Sequence, residues 1–333
     1  MKNHNNLNSI RNIVILRTDR IGEVLLSTPV IEALKRRFPE ASVSFVTSHY
    51  ARDIVVDRSD LSKVITFDTI AKKLSLWKAF KLAAKLKRHS FDMAVVLNPH
   101  KVLHLAVFLA GIRYRVGFDR KWGVLLNAKT QDKRDEAKMH EVDYNLQLLK
   151  VIDIYEENIY PFMPVLSRGS YYVNGLLAQT GVTGSKKVVV MHPGSSNPGK
   201  RYPADKLKDV VRGLVKTGNV DIVIIGSKDD KILCDRIKAD FGNEVHNLAG
   251  LLSLRELAAI FKVSDLFITN DNGPMHIAAA VGAKVLALFN KDVIGSNPLR
   301  WGPYGEGHVV LFGRFEEITP YSILESAVNL IGL

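Results

Sequence analysis

Short runs rich in Val and Ile alternate with longer helical patterns along nearly the whole chain, and this alternation limits the folds open to it. A short strand followed by an amphipathic helix is typical of a βαβ unit, in which helices cover a parallel sheet. The pattern therefore predicts an α/β fold with doubly wound parallel sheets. First-half strands are predicted at Asn12–Arg17, Ser42–Thr47, Lys63–Phe67, Met93–Leu97 and Tyr114–Gly117, with helices near Val30–Arg37, Lys72–Arg88 and Lys101–Ala110.

The pattern restarts after Pro161-Phe-Met-Pro164, where two closely spaced prolines cannot continue a helix. A chain of 333 residues also exceeds the usual size of one hydrophobic core. We predict domains at 1–165 and 166–333, with a closing helix at 320–331 that is free to pack back on the first domain. Second-half strands are predicted at Lys187–Met191, Asp221–Ile225, Val245–Asn247, Asp265–Thr269 and Lys284–Leu288, with helices near Ala204–Lys216, Lys228–Ala239, Leu254–Phe261 and Met275–Val281.

Cysteine usage and the apolar runs limit the compartment. Cys234 is the only cysteine, which excludes an intramolecular disulfide and favours a reducing cytoplasm. The apolar run Val102–Ile112 falls well short of the roughly 20 residues that span a bilayer. We expect a cytoplasmic protein with at most peripheral membrane contact.

The positive charge is concentrated in the first half. Residues 1–165 hold 27 Lys and Arg against 18 Asp and Glu, whereas residues 166–333 hold 19 against 16. The first half is therefore expected to face an anionic partner.

In doubly wound folds, ligands bind beyond the carboxyl ends of the strands, and three such segments carry chemistry. The first runs from Arg17 to Glu23, where Gly22 allows a sharp turn and Glu23 starts a helix. A helix N-terminus stabilises a carboxylate, so Glu23 is a candidate general base. The alternative is ordinary compensation of the helix dipole.

The other two segments suit an anion such as a diphosphate. His192 to Pro203 combines glycines, Ser195, Ser196 and Lys200 without the P-loop spacing, and a plain strand-to-helix loop is the alternative. In the third segment, Asn272 and Gly273 suit a helix cap with exposed N–H groups, and His276 falls in the first turn. A packing histidine beside a good helix start is the simpler interpretation there.

Three runs of this sequence carry a family resemblance. They are Ile-Leu-Arg…Arg-Ile-Gly-Glu-Val-Leu-Leu-Ser-Thr-Pro at 15–29, His-Pro-Gly-Ser-Ser…Gly-Lys-Arg-Tyr-Pro at 192–203 and Asp-Asn-Gly-Pro-Met-His-Ile-Ala-Ala-Ala at 271–280. They resemble the corresponding runs of glycosyltransferase family 9, the ADP-heptose:lipopolysaccharide heptosyltransferases. The resemblance implies a GT-B fold, in which two Rossmann-like domains face each other across a cleft. It implies an N-terminal acceptor-binding domain and a C-terminal nucleotide-sugar-binding domain.

The same resemblance implies inverting sugar transfer from a nucleotide-sugar co-substrate, most directly ADP-heptose, with no metal or other cofactor. Glu23 matches the family's catalytic carboxylate, which is commonly an aspartate. Asp271 matches an aspartate near the donor sugar, and Asp229 is the candidate for the ribose-binding acid. The residues that match the donor diphosphate site are Ser195, Ser196, Lys200, Asn272, Gly273 and His276.

A basic stretch between Asp68 and Asp92 predicts the acceptor and membrane side. Its apolar residues Leu76, Trp77, Phe80 and Ala83 can share a helix face, which favours an anionic membrane or an anionic lipid-linked glycan acceptor. The alternative is a solvated helix that packs Leu76 and Phe80 on its own sheet. The basic residues expected on this side are Arg20, Lys78, Lys81, Lys85, Arg120 and Lys121.

A second basic stretch follows toward His140. Its cations are Arg113, Arg115, Arg120, Lys121, Lys129, Lys133, Arg134 and Lys138. In the family this region borders the acceptor side, so acceptor phosphates or carboxylates are possible partners. Acidic residues are interspersed among these cations, and a solvated loop is an equal alternative.

Other functions fit the sequence less well. Within family 9, a different nucleotide-sugar donor is the main alternative. A nicotinamide-dependent oxidoreductase lacks support because no GxGxxG follows the first strand. Nucleic-acid binding would fit the pI of 9.6, but no aromatic residues are interleaved with the basic stretches as stacking platforms. We expect no nucleic-acid partner.

Overall fold

The computed structural model describes residues 7–69 and 75–333. The chain divides into a first unit, Met1–Phe162, and a second unit, Met163–Leu333. Within the described residues, each unit holds one six-stranded sheet with helices packed on it. The elements of the first unit are β1 (Asn12–Leu16), α1 (Ile21–Leu25), α2 (Pro29–Arg37), β2 (Ser42–Thr47), β3 (Lys63–Thr66), α3 (Leu76–Lys87), β4 (Met93–Val96), α4 (Lys101–Leu109), β5 (Tyr114–Phe118), β6 (Ala128–Thr130) and α5 (Glu141–Leu148).

The second unit repeats the alternation of strands and helices. Short 3-10 turns precede two of its helices, at Pro198–Lys200 and Lys228–Asp230. Its elements are α6 (Ser167–Thr180), β7 (Lys187–His192), α7 (Ala204–Lys216), β8 (Val220–Ile224), α8 (Lys231–Lys238), β9 (Val245–Asn247), α9 (Leu254–Val263), β10 (Leu266–Asn270), α10 (Gly273–Ala280), β11 (Val285–Asn290), α11 (Pro298–Trp301), β12 (Val309–Gly313) and α12 (Pro320–Ile331).

Both sheets have the same strand order. The first is β3-β2-β1-β4-β5-β6, and the second, read from its other edge, is β9-β8-β7-β10-β11-β12. All the strand pairings are parallel, so each sheet has one carboxyl edge, with a change of direction between the first and fourth strands of its unit. The predicted α/β fold with doubly wound parallel sheets is confirmed.

Burial on both faces explains the composition of the central strands. Ile13 to Leu16 of β1 and Ile222 to Ile224 of β8 are fully buried, as expected where helices cover both sides of a parallel sheet. Such strands read as continuous apolar runs, which is why their bounds could be predicted closely.

Proline ends α1 early. The sequence predicts a kink or break at Pro29, and the structure breaks the segment into α1 and α2, with Pro29 as the first residue of α2. Thr28 precedes α2 but does not cap it, because its hydroxyl donates to the carbonyl of Leu25 instead. This break separates the Glu23 turn from the longer helix.

Helix α3 is shorter than the predicted helix Lys72–Arg88, whose residues 72–74 lie outside the described part of the chain. Its core face is Ala79, Leu82, Ala83 and Leu86, and this face packs against α4. Of the four residues predicted to share a face, Ala83 lies in this core, whereas Leu76, Trp77 and Phe80 do not, so the alternative in which Leu76 and Phe80 pack on the sheet is wrong. Those three side chains are 52%, 75% and 53% exposed, respectively.

The closing helix α12 begins as the sequence predicts. Thr319 accepts a hydrogen bond from the backbone N–H of Ser322, and Pro320 is the first helical residue. Its buried residues Ile323, Ala327 and Ile331 belong to the core of the second unit, where α12 packs against α7.

No helix among residues 7–69 and 75–333 is long and apolar enough to cross a membrane.

Candidate active site

Glu23 lies in the first turn of α1, directly after the carboxyl end of β1. Its side chain is partly buried. Burial and the nearby carboxylate of Asp19 raise the pKa of Glu23, while the guanidinium groups of Arg17 and Arg20 oppose the shift. A carboxylate with a raised pKa is a stronger base than an exposed one, which suits proton abstraction from a hydroxyl group.

Arg17 holds this turn in place through ion pairs with two carboxylates. Its side chain is 2% exposed, and its Nη2 donates to Oε1 of the buried Glu141 at 3.2 Å. Its Nε donates to Asp19 at 2.7 Å. Burial alone would lower the pKa of Arg17, but the carboxylates of Asp19 and Glu141 outweigh it and hold the pKa above the ordinary value. Arg17 is therefore a structural cation whose partners belong to the protein.

Arg134 completes this buried network. Its Nη1 also donates to Oε1 of Glu141, at 3.3 Å, and both Arg17 and Arg134 donate to the carbonyl of Leu97. Asp132 accepts two bonds of 2.9 Å from Arg134, which lower the pKa of Asp132 to about 2 although burial opposes the shift. The carboxylate of Glu141, bound by both arginines, thus joins the end of β1 to the loop after β6.

In the second unit, two asparagines attach the loop after β7 to the end of β10. Asn270 accepts from the N–H of Tyr202 at 3.0 Å and donates to the carbonyl of Pro193 at 2.9 Å. Asn272 donates to the carbonyl of Gly194 and caps α10 by accepting from the N–H of Met275 at 3.2 Å. The predicted cap is confirmed.

Lys200 and Asp271 meet at this edge. Their Nζ and Oδ2 atoms are 2.5 Å apart, and Ser296 donates to the same carboxylate oxygen at 3.0 Å. Lys200 is 18% exposed, and its ammonium carries further donors for an anion. The pair lies beside Gly273, the first residue of α10, whose N-terminus carries partial positive charge. This arrangement can hold a diphosphate.

The other predicted donor residues differ in exposure. Ser195 is buried, and its hydroxyl accepts from the N–H of Asn197 at 3.4 Å. Ser196 is exposed, and His276 is buried in the first turn of α10.

The sequence did not single out Asp230, which the structure places at the same edge. His192 lies 3.6 Å from it, and Ser227 bonds it through both its N–H and its hydroxyl. His192 and Ser227 hold the pKa of Asp230 well below its usual range, although burial opposes the shift. A Cβ on Gly194 would lie within van der Waals overlap of this carboxylate, so glycine is required there. Asp229, the predicted ribose-binding acid, is exposed on the same 3-10 turn, Lys228–Asp230.

The cations predicted on the acceptor side differ in whether carboxylates of the protein already pair with them. Arg120 is paired with Asp135 at 3.0 Å and with Asp132 at 3.4 Å. Lys121 is exposed with a left-handed backbone. The remaining exposed or half-exposed cations of this set are Arg20, Lys78, Lys81 and Lys85.

Sequence reasoning missed Glu141 and Asp230, and it placed Arg134 in the acceptor-side basic stretch, whereas the structure buries Arg134 against Asp132 and Glu141. The partners of Glu141 and Asp230 lie far away in the chain or carry no motif, so no local signal marked them. In the described part of the chain, no group of three or more His, Cys, Asp or Glu side chains is arranged to hold a metal ion.

Comparison with known proteins shows which family model the chain matches. The model of glycosyltransferase family 9 (heptosyltransferase) matches residues 79–322. Lipopolysaccharide heptosyltransferase 2 of Escherichia coli K12 is 24% identical over 96% of this chain and 98% of its own length.

Two solved structures share the fold. A family 9 glycosyltransferase from Veillonella parvula superposes with a TM-score of 0.87 at 19% identity, covering 96% of this chain and 97% of its own. ADP-heptose heptosyltransferase II of E. coli superposes with a TM-score of 0.80 at 22% identity, covering 97% and 98%.

Proposed function

Because the chain belongs to glycosyltransferase family 9, we propose that it transfers heptose from ADP-heptose to the core of lipopolysaccharide, with inversion and without a metal. The relative from E. coli K12 is a lipopolysaccharide heptosyltransferase, and the related structure is that of an ADP-heptose-dependent enzyme. Transfer of a different nucleotide-linked sugar is the alternative within the family.

The observation that best supports this function is the Lys200 and Asp271 pair beside the N-terminus of α10. A leaving ADP gains negative charge as the bond to the sugar breaks. An ammonium group and a helix N-terminus that are already in place stabilise that charge without reorganisation. We assign the diphosphate to Lys200, Ser195, Ser196, Asn272, Gly273 and His276, with Asp271 near the donor sugar.

Glu23 supplies the base in this proposal. Its carboxylate accepts the proton of the acceptor hydroxyl as the hydroxyl oxygen bonds to the anomeric carbon of heptose. The bond from that carbon to the diphosphate oxygen breaks on the opposite face, so one displacement inverts the configuration. The raised pKa of Glu23 supports this role, because it makes the ionised carboxylate a stronger base.

Asp229 is our proposal for the ribose of ADP. The carboxylate of Asp230 on the same turn already accepts two bonds from Ser227 and faces His192. Asp229 is exposed and makes no hydrogen bond with the described residues, so its oxygens remain available to ribose hydroxyls.

The donor is tested by measuring thermal stabilisation with ADP-, UDP- and GDP-sugars. Selective stabilisation by ADP-heptose is expected, because a ligand raises the melting temperature only as it binds the folded state. Stabilisation by a UDP- or GDP-sugar instead would replace the proposed donor. Heptose transfer is then assayed on heptose-deficient lipopolysaccharide in the presence of a chelator that removes divalent metal ions.

We further propose that the enzyme works peripherally on the inner face of the cytoplasmic membrane, through α3. Trp77 and Phe80 project from this helix at 75% and 53% exposure, and Lys81 is exposed beside them. Apolar side chains next to lysines suit an interface with anionic headgroups.

Flotation with vesicles of anionic lipid tests this contact. A Lys78→Gln, Lys81→Gln, Lys85→Gln variant is expected to lose most of the binding, since each cation near an anionic surface contributes about 1 kcal/mol. The control replaces Lys208, Lys216 and Lys231 of the second unit by Gln. Equal flotation of the two triple variants would reject the role of α3.

A further inference from the structure

Ser296 lies in the loop 291–297 between β11 and α11. Its side chain is buried, and its hydroxyl donates to Oδ2 of Asp271 at 3.0 Å. Nζ of Lys200 donates to the same oxygen at 2.5 Å. A hydroxyl from one loop and an ammonium group from another therefore meet on one carboxylate oxygen.

The two oxygens of the Asp271 carboxylate differ in what they bind. Oδ2 accepts from Lys200 and Ser296, whereas Oδ1 accepts no hydrogen bond from the residues that the structure describes. Oδ1 is not closed off from solvent, since it is neither paired nor one of the buried unpartnered atoms in the described part of the chain. A carboxylate oxygen is only an acceptor, so Oδ1 is available to a donor such as a hydroxyl group.

The backbone fixes the position of Ser296 on both sides. Before it, Gly295 has a φ of +83°, a left-handed conformation that suits glycine, and the N–H of Ser296 donates to the carbonyl of Val293 at 3.0 Å. After it, Asn297 caps α11 by accepting from the N–H of Leu299 at 2.9 Å. A turn and a helix cap thus hold the serine between them.

The same loop is attached to the turn that carries Lys200. Nδ2 of Asn290, the last residue of β11, donates to the carbonyl of Gly199 at 3.0 Å. Val293 packs so close to this turn that a Cβ on Gly199 would lie 3.2 Å from its Cγ2 atom. The positions of Lys200 and Ser296 are therefore coupled through the backbone as well as through Asp271.

Two donors on one oxygen restrict the rotation of the carboxylate. The torsion about the Cβ–Cγ bond of an aspartate has broad minima, so a single partner leaves the carboxylate plane loosely set. Ser296 supplies the second donor, which fixes the plane and with it the direction that Oδ1 faces.

The sugar of a nucleotide-sugar is bonded directly to the diphosphate. In the proposed function the diphosphate binds Lys200, whose ammonium group already lies against Asp271. The donor sugar is then next to this carboxylate, and its hydroxyls are the donors within reach of Oδ1. A site that is built to bind a substrate hydroxyl discriminates strongly against a ligand that lacks it.

On the basis of the proposed function, we infer that Ser296 is a positioning residue that contributes to the choice of the donor sugar. Through its bond to Oδ2, Ser296 holds the Asp271 carboxylate so that Oδ1 accepts from a hydroxyl of the donor sugar. Ser296 itself contacts only the protein in this role, and its effect reaches the sugar through Asp271.

The affinities for ADP-heptose and for ADP, measured by titration calorimetry of the full chain without acceptor, test this role. Ser296→Ala removes the hydroxyl and should weaken ADP-heptose binding about three- to tenfold, as for loss of a single hydrogen bond, while ADP binding stays unchanged. The control Ser264→Ala removes a hydroxyl that donates to the carbonyl of Phe261 elsewhere in the second unit, and both affinities should stay unchanged.

A double-mutant cycle with Asp271→Ala tests whether the effect passes through the carboxylate. In the Asp271→Ala background, Ser296→Ala should cause no further loss of ADP-heptose affinity, because the group that Ser296 positions is gone. Additive losses in the double variant would overturn the inference. Equal losses of ADP and ADP-heptose affinity in Ser296→Ala, or full affinity for both ligands, would overturn it as well.

The inference and the proposed function fail separately. If a UDP- or GDP-sugar stabilises the wild-type protein in place of ADP-heptose, the proposed donor is wrong, and the two affinities are measured with that nucleotide-sugar and its free nucleoside diphosphate. A loss in Ser296→Ala for the nucleotide-sugar alone would still support the role of Ser296. An equal loss for both ligands would overturn that role.

Discussion

The two units repeat one strand order but place different chemistry at the carboxyl ends of their strands. In the first unit, Arg17 at the end of β1 and Arg134 after β6 are both buried, and both donate to the buried carboxylate of Glu141. In the second unit, amides attach the loop after β7, and the principal ion pair, Lys200 with Asp271, keeps an accessible cation.

This difference matches two tasks. A buried ion network is costly to disturb, so it holds the Glu23 turn and the loop after β6 in one arrangement. Lys200 is partly exposed and keeps further N–H donors beside its bond to Asp271, so a diphosphate from solvent can bind these donors and leave again. The same topology thus provides a fixed base in one unit and a reversible anion site in the other.

Removal of the buried carboxylate should have the largest effect on stability. Glu141→Gln leaves Arg17 and Arg134 undercompensated, and we expect a loss of about 3 kcal/mol in the free energy of unfolding. Hydrogen exchange should increase within 7–162 and stay unchanged within 163–333. The control Glu40→Gln, at an exposed site of the same unit, should behave like the wild-type protein. A uniform increase in both units would contradict the assigned role of the network.

Lys200→Gln should leave the second unit folded and weaken its ligand binding. Loss of a charge-assisted hydrogen bond, about 1.5–3 kcal/mol, corresponds to about 10- to 150-fold weaker binding of ADP in titration calorimetry. Lys216→Gln, on an exposed helical position, serves as the control. If ADP binds the Lys200 variant as tightly as the wild-type protein, the diphosphate is held elsewhere.

Removing two helix caps of the second unit, one at a time, distinguishes an effect on the free energy of unfolding from an effect on ADP binding. Asn272→Ala and Thr319→Ala each remove a cap, with an expected loss of about 0.5–2 kcal/mol. Only Asn272→Ala should also weaken ADP binding, because Asn272 holds the loop that carries Lys200. Equal ADP affinities of these two variants would show that the loop needs no such support.

The smallest expected effect concerns the ribose. Asp229→Ala should weaken ADP binding by about 0.5–1.5 kcal/mol, the value of a single hydrogen bond. Because the missing partner is a ribose hydroxyl, the variant and the wild-type protein should bind 2′,3′-dideoxy-ADP equally. A difference that persists with this analogue would exclude contact between Asp229 and the ribose.

The sequence predicted the fold from strongly local signals. Ser42–Thr47 was located to the residue because Val43, Phe45 and Val46 form a buried run of β-forming residues, and Asn272 and Thr319 were recognised as caps. Strand β6, Ala128–Thr130, was missed because three residues with a lysine in the middle carry no apolar pattern.

The networks of the site could not be predicted in the same way. Arg17 and Glu141 are 124 residues apart, and only the folded sheet brings them together. Asp229 and Asp230 are adjacent and chemically identical, so the sequence could not show that the 3-10 turn directs Asp230 toward His192 and leaves Asp229 exposed. Side-chain direction within a turn depends on backbone geometry that motifs do not encode.

The role of Glu23 as the base is tested most directly by kcat for heptose transfer as a function of pH, in the wild-type protein and in Glu23→Gln. Ionised Glu23 is the active form, and its pKa is raised, so wild-type turnover should fall with decreasing pH already above the ordinary glutamate value of about 4.3. The variant should lose about 10²–10⁴-fold in kcat and lack that acidic decline, with an unchanged KM for ADP-heptose. Wild-type turnover in the variant, or the same acidic decline, would contradict the account.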